Sequence, residues 1–255
     1  MPVKIQRFGW IPDLPDQRDY IYAPPVMTIA QLPAKVDLRS HCPPVYDQGQ
    51  LGSCTANAIG GAIEFTQMKE KLADIFTPSR LFIYYNERAM EGTVNSDSGA
   101  QIRDGIKSVA KQGACHEKTW PYHINQFTVK PSAACYADAA KHTVKQYSRL
   151  SQSLTVMKGC LSSGYPFVFG FTVYESFESP EVARTGNVPM PSAGEQVVGG
   201  HAVVAVGYDD SRHRFIVRNS WGTGWALKGY FMMPYAYLTQ AHPALAADFW
   251  TIRLV

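Results

Sequence analysis

The chain has 255 residues, which suits one or two domains with their own hydrophobic core. Its 24 basic and 21 acidic residues give a net charge of +3, and no basic patch is present, so a nucleic-acid-binding protein is not expected. Apolar residues make up 45% of the chain, which excludes general disorder. The longest uncharged apolar stretch, residues 165–174, is about half of the roughly 20 residues that span a bilayer, so no membrane partner is expected.

Residues 1–35 contain six prolines, which fix φ and remove hydrogen-bond donors. We therefore predict an extended N-terminal arm, anchored by Trp10 and by aromatic residues near Tyr20. Two interpretations stay open: the arm lies on the body of the protein, or it is a strap over a functional cleft. No apolar signal core is visible, so no secretory peptide is predicted, and both a secreted and a cytoplasmic location remain open.

Helical patterns dominate the first half of the chain. Apolar residues at i, i+3, i+4 and i+7 from Ile59 predict a helix that begins near Cys54. Thr77-Pro78-Ser79 opens a second predicted helix toward Met90, and a third is predicted over residues 98–111, closed by Gly113.

Strand patterns dominate the second half. A strand is predicted over residues 167–173, a long loop over 178–199, and a β-hairpin from His201 to Asn219. Further strands are predicted at residues 229–233 and 249–254. Helices followed by strands predict an α+β fold or two subdomains of different kind.

Cys54 follows two glycines and opens a predicted helix, where the positive end of the helix dipole favours a thiolate. On this evidence alone, a buried structural cysteine is the competing interpretation. His201 begins a strand and Asn219 ends its hairpin partner, so their side chains can share one face. Cys, then His, then Asn is the set that a thiol hydrolase needs when its base comes from a distant strand.

The blocks around these residues carry a family resemblance. The stretch VDLR (36–39) with QGQLGSC (48–54) resembles the start of a mature papain-like cysteine peptidase, and GHAVVAVGY (200–208) and RNSWGTGWALKGY (218–230) resemble that family's histidine and asparagine blocks. The resemblance runs from about residue 32 to the C-terminus and points to a bacterial member of the family. It implies a papain-like fold, with a helical left subdomain, a β-barrel-like right subdomain and the active-site cleft between them.

By this resemblance, residues 1–35 form the arm, with a pro-segment as one reading, and residues 36–255 form the peptidase domain. The helical part covers about 36–150 and the β-rich part about 151–255. We expect a monomer, and we expect residues 1–31 to contact the cleft and restrain activity.

The resemblance also assigns roles in the site. Cys54 is the nucleophile, held as a thiolate beside protonated His201, and it forms a thioester with the substrate. Asn219 orients the imidazole, with Trp221 as a shield and substrate contact. Gln48 lies where the family's oxyanion donor falls, and Gly99 matches the glycine that pairs with the substrate backbone.

Three positions depart from the family pattern. Leu51 stands in place of a disulfide cysteine, Thr55 replaces an aromatic residue and opens space beside Cys54, and Gly200 replaces an acidic residue. The pairing of the remaining cysteines therefore stays open, including a fully reduced state; they are Cys42, Cys115, Cys135 and Cys160.

The resulting hypothesis is an endopeptidase that acts on proteins or peptides without a cofactor. The alternatives are an exopeptidase or acyltransferase on the same fold, and a binding or effector homologue without turnover. No metal site is predicted, because CxxC pairs are absent and the zinc-protease-like His116-Glu117 has Trp120 where a second histidine is needed. We interpret the histidines other than His201 as structural or surface residues.

Overall fold

The computed structural model describes residues 8–255. Its helices in this range are α1 (Val26–Ala30), α2 (Cys54–Glu70), α3 (Arg80–Glu91), α4 (Ile102–Gln112), α5 (Ala133–Ala139), α6 (Leu154–Ser162), α7 (Pro180–Thr185) and α8 (Tyr235–Thr239). Its strands are β1 (Trp10–Ile11), β2 (Lys35–Asp37), β3 (Ala100–Gln101), β4 (Gln146–Arg149), β5 (Phe167–Tyr174), β6 (Val197–Asp209), β7 (Arg214–Arg218), β8 (Tyr230–Pro234) and β9 (Ala246–Leu254). Within the described residues, every helix is too short or too polar to cross a bilayer.

The predicted central helix is confirmed as α2, which begins at Cys54. It is buried on all sides over residues 54–67, because it packs between α3 and α4 on one side and the sheet on the other. The second helix is also confirmed: α3 follows Ser79, whose hydroxyl accepts the backbone N–H of Phe82 and caps the helix.

The third predicted helix begins later than the sequence pattern indicated. Residues 98–101 are not helical, and α4 starts at Ile102. Gly99 has φ of +76°, and β3 after it pairs in parallel with β1 of the N-terminal arm. The predicted start at residue 98 was wrong because this stretch forms a strand contact with a distant part of the chain.

The second half of the chain forms an antiparallel sheet in the order β4-β9-β5-β6-β7-β8, with β2 added against β6. The α+β prediction is confirmed. The strand order among the described residues is open at both ends, so the β-rich part is barrel-like only in a loose sense.

Two segments contain more regular structure than predicted. The loop over residues 178–199 includes α7, which has Pro180 at its first position and is capped by the Ser179 hydroxyl, and β6 already begins at Val197. The arm is extended over much of its described length but forms α1 at Val26–Ala30. The short helices α1 and α7 were not predicted, because both lie in segments whose prolines indicated extended or irregular structure.

Two apolar clusters flank the cleft. One, within the β-rich part, is rich in phenylalanine, including Phe169, Phe171 and Phe249. The other lies between the helices and the sheet and contains Cys54 and Trp10. All five cysteines fall within the described residues and are free thiols, so no disulfide pairing is observed there.

Candidate active site

Cys54 is the first residue of α2 and is completely buried. The backbone N–H groups of a helix's first turn have no acceptor within the helix, and together they form the positive end of its dipole. Before it, Gly49 adopts φ of +61°, a conformation that glycine tolerates, and the chain turns sharply into the helix. The local sequence therefore places a thiol at a site that favours negative charge.

His201 and Asn219 are brought together by the β6–β7 hairpin. The His201 Nε2 atom lies 2.8 Å from Asn219 Oδ1, and both side chains are buried. Because Asn219 Oδ1 can only accept, this contact fixes the proton on Nε2. The other nitrogen, Nδ1, is buried and has no hydrogen-bond partner among the described residues. It is therefore the ring atom able to exchange a proton with another group.

The Cys54 thiol, on α2, and the His201 imidazole, on β6, lie on opposite sides of the cleft. The sulfur of Cys54 receives a backbone hydrogen bond from Ala202, the residue that follows His201 in β6. The indole of Trp221 covers the other side of the ring, with ring centroids 5.0 Å apart and an interplanar angle of 31°. The structure thus assembles Cys54, His201, Asn219 and Trp221 in one place.

Burial controls the protonation of this pair. It raises the pKa of the Cys54 thiol to about 12, against the opposing effect of backbone hydrogen bonds. It also lowers the pKa of His201 to about 4, although the bond to Asn219 acts in the opposite direction. Burial therefore opposes the charged form of both groups while the strap residues cover them, and the thiolate beside protonated His201 stays a prediction.

Gln48 is buried beside the same helix start. Its Nε2 donates to the Leu51 carbonyl at 3.0 Å, and its Oε1 accepts from the Ser220 hydroxyl at 2.6 Å. The Tyr122 hydroxyl donates to the Gln48 carbonyl at 3.0 Å. Ser220 follows Asn219 directly, so one turn positions both the histidine's partner and the glutamine's partner. No sequence signal distinguishes Ser220 from the other small residues of this turn.

The N-terminal arm passes through the cleft, and we call its residues 8–25 the strap. Gly9 makes a backbone hydrogen bond to the Cys54 sulfur, and its carbonyl accepts the N–H of Ala100 at 2.8 Å. A Cβ at Gly9 would lie 1.8 Å from the Gly52 carbonyl oxygen, and one at Gly99 would lie 2.1 Å from the Gly9 oxygen. Glycine at both positions lets the strap approach Cys54 this closely.

Trp10 fills a pocket beside the site. A Cβ at Gly170 would lie 2.0 Å from its indole, and one at Gly200 would lie 2.5 Å from its carbonyl oxygen. The indole N–H donates to Asp248 Oδ2 at 3.1 Å. The glycine at position 200, noted as a departure from the family pattern, is thus explained by the passage of the strap.

Ion pairs hold the strap in place after Trp10. Asp19 pairs with Arg103 at 2.5 Å and with Arg149 at 3.2 Å, and its side chain is almost fully buried. Asp13 accepts the Trp250 indole N–H at 2.9 Å, and its own backbone N–H donates to Asp248 at 2.8 Å. The strap is therefore an integrated part of the structure over residues 8–19.

Thr55 leaves no open space beside Cys54, so the prediction from the sequence was wrong here. It is fully buried, and its hydroxyl donates to Glu87 Oε1 at 2.6 Å. Glu87 Oε2 is buried without a hydrogen-bond partner in the described chain, and burial raises the pKa of this carboxyl well above its usual range. A buried carboxyl group with a raised pKa thus binds the residue that follows Cys54, a feature that no sequence pattern indicated.

The comparisons with known proteins fit this geometry. The family model described as papain family cysteine protease matches residues 32–242. The chain belongs to the papain family. It is accordingly a cysteine peptidase, a hydrolase, and the papain-like fold inferred from the sequence is confirmed.

Individual papain-family relatives extend the comparison. The crystal structure of xylellain, a cysteine protease from Xylella fastidiosa, is 46% identical and matches over 100% of both chains with a TM-score of 0.91. An uncharacterized peptidase C1-like protein, L477 of Acanthamoeba polyphaga mimivirus, is 44% identical over 98% of this chain and 88% of its own length. A recombinant stem bromelain precursor, 19% identical with a TM-score of 0.71 over 96% of this chain and 76% of its own, shares the fold.

Proposed function

We propose that this peptidase is an endopeptidase in which Cys54 attacks the peptide carbonyl and His201 transfers the proton. The observation that carries the proposal is the orphaned, buried Nδ1 of His201, on the ring whose Nε2 is fixed by Asn219 and beside the residue that hydrogen-bonds the Cys54 sulfur. No other ring position in that arrangement can take the thiol proton.

The steps follow from this geometry. Nδ1 takes the proton from Cys54, and the resulting thiolate adds to the carbonyl carbon. The imidazolium then gives the proton to the leaving amine, and a thioester remains on Cys54. Water, activated by the same nitrogen, cleaves the thioester and restores the thiol. Asn219 keeps the ring in the required tautomer throughout, under the cover of Trp221.

Gln48 and the start of α2 supply the oxyanion site in this proposal. The Gln48 side-chain amide and the Cys54 backbone N–H are both donors at the base of the cleft, and the Ser220 hydroxyl orients the amide. Removal of one such donor typically costs ~10²–10³ in turnover. Gly99 is proposed to pair with the substrate backbone, since β3 beside it already pairs with an extended segment.

The strap is proposed to restrain activity. Gly9 occupies the space at the Cys54 sulfur and Trp10 fills the neighbouring pocket, so a substrate cannot enter until these residues leave. We therefore assign residues 1–31 an inhibitory role; residues 1–7 lie outside the described part of the chain. We further propose residues 36–255 as the peptidase domain and residues 1–35 as the arm.

Cleavage of a peptide library, followed by mass spectrometry, tests the endopeptidase assignment. A chain that begins at Leu32 should cut within peptides at internal bonds. Trimming from one end only would overturn the endopeptidase assignment in favour of an exopeptidase, and transfer of acyl groups to added amines without net hydrolysis would favour an acyltransferase.

A further inference from the structure

A cluster of histidines and carboxylates lies in the helical part, away from Cys54. Its members are Asp74 in the turn after α2, His116 after α4, and His142 after α5. One ligand atom from each lies within 4.8 Å of the others. Asp138, on α5, contacts both histidines. The peptidase mechanism uses none of these residues.

The hydrogen bonds around His116 leave its Nε2 atom facing the Asp74 carboxylate. Its Nδ1 lies 2.8 Å from Asp138 Oδ2, which also accepts the His116 backbone N–H at 3.0 Å. With the ring proton held there, Nε2 presents a lone pair to Asp74 Oδ2, only 3.1 Å away. Two lone-pair sites at this distance need a cation between them, either a second proton on the ring or a metal ion.

His142 is the reason to favour a metal ion. Its Nε2 lies 4.0 Å from the same Asp74 oxygen, so two imidazole nitrogens converge on one carboxylate. A proton can bridge only one pair of atoms, whereas Zn²⁺ takes His and Asp ligands together at about 2.0–2.2 Å, which leaves the ligand atoms about 3–4 Å apart. The Asp74 oxygen, at 3.1 and 4.0 Å from the two imidazole nitrogens, already has this spacing, and all three ligand atoms lie within 4.8 Å of one another.

The surroundings suit such a site. The two histidine rings are 5.0 Å apart at 81°, and Phe76 stacks on His116 at 4.0 Å, so the ring directions are fixed by packing. The His116 and His142 side chains are 10% and 20% exposed, while Asp74 is 60% exposed and able to close the site from outside. Asp138 supplies the carboxylate behind a ligating histidine that orients it in many metal sites.

We propose that Asp74, His116 and His142 bind one Zn²⁺, with Asp138 as the orienting partner of His116 and water completing the coordination. The ion would join three loops of the helical part, where the described cysteines form no disulfide. Binding to the folded state alone would raise its stability. This role is independent of the proposed catalytic residues.

Zinc titration of the full chain carrying Cys54→Ser tests the proposal, because this substitution removes the reactive thiol. Equilibrium dialysis against ZnCl₂ should show one ion per chain, and Zn²⁺ should raise the melting temperature until a chelator is added. Asp74→Asn and His142→Gln should each weaken binding by at least ~10-fold and abolish the shift, and Asp138→Asn should weaken binding by ~10–100-fold. His123→Gln, at an exposed histidine outside the cluster, is the matched control and should bind as well as the parent.

Co²⁺ identifies the ligands in the same protein. Histidine and carboxylate ligands should give visible ligand-field bands without the near-ultraviolet band that a thiolate adds. The proposal is overturned if binding does not saturate, if Asp74→Asn and His142→Gln bind like the parent, or if the spectrum shows thiolate ligation. Because Asp74 is exposed, its substitution keeps the test valid even if a histidine variant does not fold.

Discussion

The indole N–H of Trp10 donates to Asp248, which also accepts the backbone N–H of Asp13, and these bonds fasten the strap at the cleft. Burial raises the pKa of the Asp248 carboxyl to about 6, because the carboxyl loses solvation where it binds the strap. The strap is therefore held in the cleft by specific contacts.

Loss of the Trp10 anchor should increase activity. Trp10→Ala empties the glycine-lined pocket and removes the bond to Asp248, so the strap should leave Cys54 more often and peptide hydrolysis should rise by ~10-fold or more, a change of about 1.4 kcal/mol in the closing equilibrium. Initial rates on a short fluorogenic peptide measure this. Tyr20→Ala is the control, because Tyr20 is an exposed strap residue. Equal rates for all three proteins would contradict an inhibitory strap.

Acid should weaken the folded state through His201. Its pKa is lowered to about 4 from 6.5 by burial, so the unfolded chain binds a proton in this range that the folded chain does not. The stability contribution is thus fully present above pH 6.5 and is lost as the pH falls toward 4, by about 1.4 kcal/mol per pH unit. His201→Gln should lack this pH-dependent contribution to the free energy of unfolding.

Urea unfolding of both proteins across this pH range measures the difference. The stability advantage of the parent over His201→Gln should shrink by about 2–3 kcal/mol between pH 6.5 and 4. Other titrating groups are common to both proteins and cancel. Parallel curves would show that the ring is not held neutral in the folded chain.

The buried carboxyl of Glu87 should tolerate replacement by an amide. Burial raises the pKa of the Glu87 carboxyl well above its usual range, so Glu87→Gln should match the parent's free energy of unfolding below about pH 4 and become the more stable protein as the pH rises toward neutrality. Thr55→Val, which removes the donor to Glu87, should cost about 1–3 kcal/mol. Chemical denaturation at two pH values separates these results; a strongly destabilised Glu87→Gln would mean that the group is ionised.

The proposed oxyanion role of Gln48 predicts a loss in turnover. In the Trp10→Ala background, Gln48→Ala should lower kcat by ~10²–10³ with little change in KM. Ser220→Ala should have a smaller effect, because Ser220 acts by orienting the Gln48 amide through the 2.6 Å bond. Steady-state kinetics measure both. If Ser220→Ala were as damaging as Gln48→Ala, Ser220 would have a role beyond orientation.

The sequence predicted the parts of the site that local signals define. Cys54 at a helix start, and His201 and Asn219 on one hairpin, follow from turn glycines and strand alternation. Asp248, Glu87 and the His116–His142 pair could not be predicted in this way, because their roles depend on packing between segments far apart in the chain. The start of α4 was misplaced for the same reason, since β3 exists through its pairing with β1.

Labelling of Cys54 by an epoxide thiol inhibitor at neutral pH, followed by intact-mass and peptide analysis, tests whether the strap covers a reactive Cys54–His201 pair. The parent chain should label slowly, Trp10→Ala should take up one label on Cys54 at least ~10-fold faster, and Trp10→Ala with His201→Ala should not label. Equal labelling of Cys54 in all three proteins, or labelling at another cysteine, would contradict a strap-covered Cys54–His201 pair.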